Sequence, residues 1–153
     1  MINKRKLFEV FLDRMAKAEA AGMPFEAAWY AYAILEDHLV SMLRNSGGEN
    51  RPNGKAIKMM GPKIEKLRER ASVDALLAAN FPEYDVEDID ETELWKWKSA
   101  RDELIHAMAR GELTLDEIDE KVSKLAADGA KLAREYAAAA ARLKKHRHKV
   151  PQS

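Results

Sequence analysis

A chain of 153 residues is long enough for one domain with a sizeable core and short for two. Hydrophobic residues make up 46% and charged residues 34%, with 26 acids against 26 bases; this composition fits a soluble helical globule and gives no overall electrostatic drive toward nucleic acid or anionic membrane. The absence of cysteine excludes disulfides, thiolate nucleophiles and cysteine-type zinc sites, and fits a reducing cytoplasm.

The opening residues Met1 to Lys6 are basic, but the charges within Leu7 to Asp13 interrupt any signal-peptide core, and nowhere do 18 apolar residues run together. Neither secretion nor membrane contact is expected. Leu7, Val10, Phe11 and Met15 recur at helical spacing up to Gly22, which predicts a first amphipathic helix from about Lys4 to Ala21. Pro24 suits the first turn of a second helix running to about Asn45. Its main apolar face is Phe25, Ala28, Tyr32, Leu35, Leu39, Met42 and Leu43, and Trp29, Tyr30, Ile34 and Val40 extend apolar character nearly all round. Glu36 falls at the edge of that face and calls for a cation.

The turn formers from Ser46 to Gly54 predict an exposed, mobile loop. Helix is predicted from Lys55 to about Ala79, broken near Gly61-Pro62 and again at Ser72-Val73-Asp74, which resembles a fresh cap. An acidic connector, Asn80 to Asp90, leads to a helix ended by Gly111. Thr114-Leu115-Asp116-Glu117 forms a capping box for a last helix to about Lys145, in which Gly129 marks a bend. The expectation is an all-α, single-domain bundle of about five helices over residues 1–145, followed by a basic, fraying tail over 146–153.

The helix from Thr92 to Arg110 carries the strongest functional signal. At about 100° per residue, Leu94, Trp97, Leu104, Ile105 and Met108 share one stripe and Arg101 falls at its centre. A buried guanidinium needs a carboxylate or a wet cleft. Glu36 is the acid the sequence offers. His106 lies about 140° further round, with Asp102 between the two directions, so arginine and histidine flank one shoulder of the helix. The bland reading of the same residues is a structural Arg101–Glu36 ion pair with His106 on the surface. His38, Trp95 and the pair His146 and His148 are weaker candidates, and Trp97 reads as core.

The aromatic-rich run Ala28-Trp29-Tyr30-Ala31-Tyr32-Ala33-Ile34-Leu35-Glu36-Asp37-His38-Leu39, combined with Arg101-Asp102-Glu103-Leu104-Ile105-His106 on a later helix, resembles the HEPN superfamily of small α-helical domains. Arg101, the spacing and His106 match the family pattern, Glu36 matches its earlier acidic position, and Asp102 stands where asparagine is commoner. The resemblance implies a homodimer whose Arg101 and His106 pairs face one cleft and cut RNA with no metal or other cofactor, with Glu36 and Asp102 orienting Arg101. It further implies a toxin or phage-defence role under an antitoxin or other regulatory protein. The alternative is a non-catalytic helical dimerisation or adaptor module.

Overall fold

The computed structural model describes residues 3–149. Six α-helices and two single 3-10 turns, with no strand among the described residues, make the fold all-α. The helices are α1 (Lys4–Ala20), α2 (Pro24–Ser46), α3 (Met60–Ala71), α4 (Ala75–Asn80), α5 (Glu93–Ala109) and α6 (Leu115–Lys149). None is long and apolar enough to cross a membrane.

Several boundaries follow from local chemistry. Asn3 caps α1 by accepting from the Arg5 backbone N–H at 2.9 Å. Gly22 (φ +67°) and Gly111 (φ +67°) end α1 and α5 in the left-handed conformation that glycine adopts without steric cost. Pro62 sits in the first turn of α3, where its missing N–H costs no helical hydrogen bond, so the helix starts at Met60 instead of breaking there. Asp74 caps α4, accepting from the Leu77 N–H at 3.0 Å. The capping box of α6 is formed in both directions: Glu117 N–H donates to Thr114 Oγ1 at 3.2 Å and Thr114 N–H to Glu117 Oε1 at 3.3 Å.

The chain divides into two compact units, the first made of residues up to Leu35 with Trp97–Arg134, the second of Glu36–Lys96 with residues from Glu135 on. In the first unit the buried alanines Ala18, Ala27 and Ala126 bring α1, α2 and α6 together. This small-residue seam turns Ala27 and Ala31 inward and leaves Phe25 and Trp29 on the surface, Trp29 with 78% of its area exposed. The expected inward face of α2 therefore does not hold at Phe25: the alanines, not the largest side chains, mark the closest approach. Phe11 and Tyr30 pack ring to ring at 5.6 Å, and Arg134 meets Glu19 at 2.6 Å.

Gly129 does not interrupt α6, which runs unbroken through it. A Cβ there would stand 2.8 Å from the Trp97 ring, so the missing side chain is the seat of the indole. Trp97 Nε1 donates to the Leu125 carbonyl at 2.9 Å, which satisfies the ring's polar atom in the core.

In the second unit Leu39, Met42 and Leu43 join Ile64, Leu67, Leu77, Phe81 and Leu143 in the core. Arg68 ties down the acidic connector, donating from Nε to the Val86 carbonyl at 2.9 Å and from Nη2 to that of Glu87. A polar relay crosses this core. Tyr136 donates to Glu83 Oε2 at 3.1 Å, Tyr84 therefore donates to Tyr136 at 2.6 Å, and Glu83 Oε1 accepts the Leu94 N–H at the start of α5. Burial pushes both phenols well above their ordinary pKa.

Three sequence expectations change here. The segment 55–59 is not helical, because Arg51 N–H bonds to the Lys55 carbonyl and a bridge joins Asn50 to Ala56. The glycine loop is exposed only in part: Ser46 and Gly48 are buried, and the Gly48 N–H reaches the Leu43 carbonyl at 2.8 Å. Finally, α6 continues to Lys149 because Arg147 pairs with Asp74 at 2.5 Å, so residues 146–149 are helix rather than a fraying tail. Residues 150–153 of that expected tail lie outside the described residues.

The Trp97 seat gives a direct test. Gly129→Ala would gain about 1 kcal/mol from helix propensity alone. Overpacking against the indole should reverse the sign, with a net loss of about 1–3 kcal/mol in chemical denaturation. A variant more stable than wild type would show that the ring does not fill this space.

Candidate functional site

Trp97 fixes which way α5 faces. With Trp97 and Leu104 buried, Arg101 lies about 40° from Trp97 round the helix, Ile105 about 80° and His106 about 180°. The consequences match residue by residue: Arg101 is half-buried, Ile105 is 54% exposed and His106 is exposed. Ile105 was expected on the buried stripe, and the indole's seat at Gly129 rotates it out.

Arg101 finds partners within its own unit. Its guanidinium carbon stands 4.1 Å from the centroid of the Tyr32 ring, a cation–π geometry, and its Nη2 donates to Asp102 Oδ1 at 2.9 Å. Lys98, one turn earlier, meets the other Asp102 oxygen at 3.0 Å. The Arg101 side chain keeps 24% of its exposure and Asp102 34%. The Arg101 Nε is buried and has no hydrogen-bond partner among the described residues. Burial opposes the charge on Arg101, but Asp102 and Tyr32 outweigh it and raise its pKa. Burial likewise works against ionised Asp102, and Arg101 and Lys98 overcome it and hold the carboxyl below its ordinary range.

Glu36 has a cation within its own unit. It lies in the second unit and forms an ion pair with Lys63 of α3; their side chains are 19% and 8% exposed. Sequence reading missed Lys63 because a lysine in the first turn of a charged helix looks solvated, and only the tertiary fold places it against α2. The structure thus joins Arg101 to Asp102 on α5 and gives Glu36 its own lysine.

The remaining candidates sort by burial. Trp97 is core, as expected. Trp95 is half-buried on the first turn of α5, where its N–H bonds to the Thr92 hydroxyl at 3.3 Å, and His38 is half-buried on α2. His146 is exposed on α6 and the His148 side chain lies outside the described residues. Among the described residues no group of three histidine or acidic side chains is arranged to hold a metal ion. Tyr32 is the residue of the site that the sequence did not single out; its spacing of seven from Phe25 suited core packing equally well.

Chemically, the arrangement offers a fixed guanidinium with a donor to spare and, beyond Ile105, an exposed imidazole. One turn from the Tyr32–Arg101 contact, Trp29 on α2 and Ile105 on α5 present apolar surface to solvent. Comparison of the chain with protein-family models, with curated proteins and with solved structures gave no match.

Two measurements check this geometry. Asp102 has a lower pKa folded than its unfolded value of about 3.9, so its ion-pair stabilisation is complete above that value and is lost as pH falls through the folded pKa. In Arg101→Gln the Asp102 carboxyl should titrate at higher pH by NMR; an unmoved titration would remove Arg101 as its partner. Separately, Lys63→Met takes the ion-pair partner from largely buried Glu36 and should cost up to about 3 kcal/mol in denaturation. A loss under about 0.5 kcal/mol, the range of an ordinary surface change, would mean that the pair is not structural.

Proposed function

We propose that the chain is a metal-independent endoribonuclease of the HEPN type. The observation that carries the reading is the disposition of α5: Arg101 half-buried and held by Tyr32 and Asp102, and His106 exposed on the same helix. Imidazole titrates near neutrality and serves as general base at a ribose 2′-hydroxyl or as general acid at a leaving 5′-oxygen. A guanidinium brought to the same phosphate binds it and offsets the charge that builds in the transition state. Asp102 is the orienting group for Arg101.

His106 and Arg101 point about 140° apart on α5, so a second copy of the chain is part of this reading. Its His106 would complete the site across a cleft. Exposed Trp29 and Ile105, each one turn along its helix from a partner in the Tyr32–Arg101 contact, support such an association, because exposed apolar side chains are what interface cores bury. By the same resemblance the enzyme acts in the cytoplasm, as a toxin or phage-defence component restrained by an antitoxin or other regulatory protein.

A second reading is favoured by the same ion pair. Arg101 already has an acid and an aromatic face, and Asp102 already has Lys98, which is the arrangement of a structural network. On that reading the chain is a non-catalytic helical dimerisation or adaptor module.

RNA cleavage in the presence of chelator separates the two. The ribonuclease reading expects wild-type cleavage and a loss of at least about a hundredfold in His106→Ala and Arg101→Ala, the scale of a missing general acid–base or charge-stabilising group. Equal activity in all three proteins would assign the cleavage to other residues. No cleavage by any of them, with Arg101→Ala chiefly less stable, would support the adaptor.

A further inference from the structure

A second cluster of cations lies in the second unit. Arg70 lies in the last turn of α3 and Asp74 caps α4; the Asp74 N–H donates to the Arg70 carbonyl at 2.9 Å, so the two side chains leave the chain about one turn apart. Arg147, from the end of α6, donates to Asp74 Oδ2 at 2.5 Å, while Oδ1 accepts the Leu77 N–H. The Asp74 carboxylate is thereby engaged at both oxygens. Burial resists its charge, but Arg147, the Leu77 N–H and the neighbouring Arg70 hold its pKa below the ordinary range.

Two arginines around one carboxylate leave one positive charge unmatched. Both carry a buried Nε–H without a hydrogen-bond partner, and Arg70 makes no side-chain hydrogen bond among the described residues. Arg70 is nevertheless held in place. Its stem lies against Gly48, where a Cβ would come within 2.7 Å of Cγ, and its Nη2 would be 3.8 Å from a Cβ at Gly47. The Gly47–Gly48 turn thus has no side chain where the arginine passes. Lys144 and Lys145, exposed on the last turns of α6, add to the positive potential of this unit.

A held guanidinium with a desolvated, unused donor costs stability unless an acceptor meets it. Its planar fork matches the oxygens of a tetrahedral anion and accommodates two of them at once. We propose that Arg70, held against the Gly47–Gly48 turn, and Arg147, paired with Asp74 one turn further along the chain from Arg70, form a binding site for a phosphate group. Phosphate accepts from the terminal Nη groups of Arg70, which have no hydrogen-bond partner among the described residues, and neutralises the surplus charge that Asp74 leaves. The site shares no residue with α5 and stands whether or not the chain cleaves RNA.

The test follows the arginine Nε–H signals of the full chain by NMR. Inorganic phosphate should shift the Arg70 and Arg147 signals saturably, while chloride at matched ionic strength leaves them in place. Arg70→Gln, checked for native helix content, should bind phosphate at least about tenfold more weakly, the effect of one lost charge-assisted contact. Arg147→Gln provides a second variant should Arg70→Gln unfold. A dinucleoside monophosphate, which carries only a phosphodiester, distinguishes the sources: shifts with both probes assign the site to a nucleic-acid backbone, and shifts with inorganic phosphate alone assign it to a terminal phosphate. No saturable shift in the wild type, or equal binding by the folded variants, would overturn the proposal.

Discussion

The seating of Trp97 on Gly129 governs how α5 is used. An indole that replaces a missing side chain on α6 and donates to the Leu125 carbonyl fixes the rotation of α5 about its axis, and the rest of that helix follows by arithmetic. At 100° per residue Leu104 goes inward, Arg101 falls on the flank where Tyr32 covers it, and His106 faces away. The charged and titratable groups of the site thus owe their exposure to the seating of one indole earlier on the helix. Packing is unforgiving at the scale of a single methyl group, which is why so local a contact can orient a whole helix.

The chain is electrically neutral, yet its interior edges are rich in arginine, and each arginine finds a different solution. Arg68 spends its donors on connector carbonyls, Arg101 uses an aromatic face and an adjacent acid, and Arg147 reaches a helix-capping carboxylate. Planarity and several donors make guanidinium adaptable in this way, whereas Lys63 acts as a point charge against one glutamate. Unlike these arginines, Arg70 has no hydrogen-bonded acceptor among the described residues. Net charge says nothing about such local imbalance, because it averages over pairs that are fixed by the fold.

Local signals were legible in the sequence and tertiary ones were not. The Thr114–Glu117 capping box, the Asp74 cap and the stops at Gly22 and Gly111 are encoded within a few residues, and the structure has them all. The all-α class follows from the same periodicity. Phe25 and Trp29 misled because periodicity weights large side chains, while the seam is made of alanines. Gly129 reads as a helix breaker until its neighbour across the interface is known. The acid that faces Arg101 was legible in part: helical geometry singled out Glu36, and Asp102 entered as an orienting group beside it through the family resemblance. A half-buried arginine does need a carboxylate, and the nearest in sequence, Asp102, supplies it, whereas Glu36 is taken by Lys63 from a helix the pattern left unremarked.

The relay from Tyr84 through Tyr136 to Glu83 joins groups more than fifty positions apart in the chain. During synthesis Glu83 and Tyr84 emerge long before their partner. The core around Leu39, Leu67 and Phe81 therefore stays open until the ribosome has released the residues from Glu135 onward. The first unit is also discontinuous, needing residues as late as Arg134 to close. Neither unit completes as it is made, so the apolar surface of both stays uncovered until late in translation.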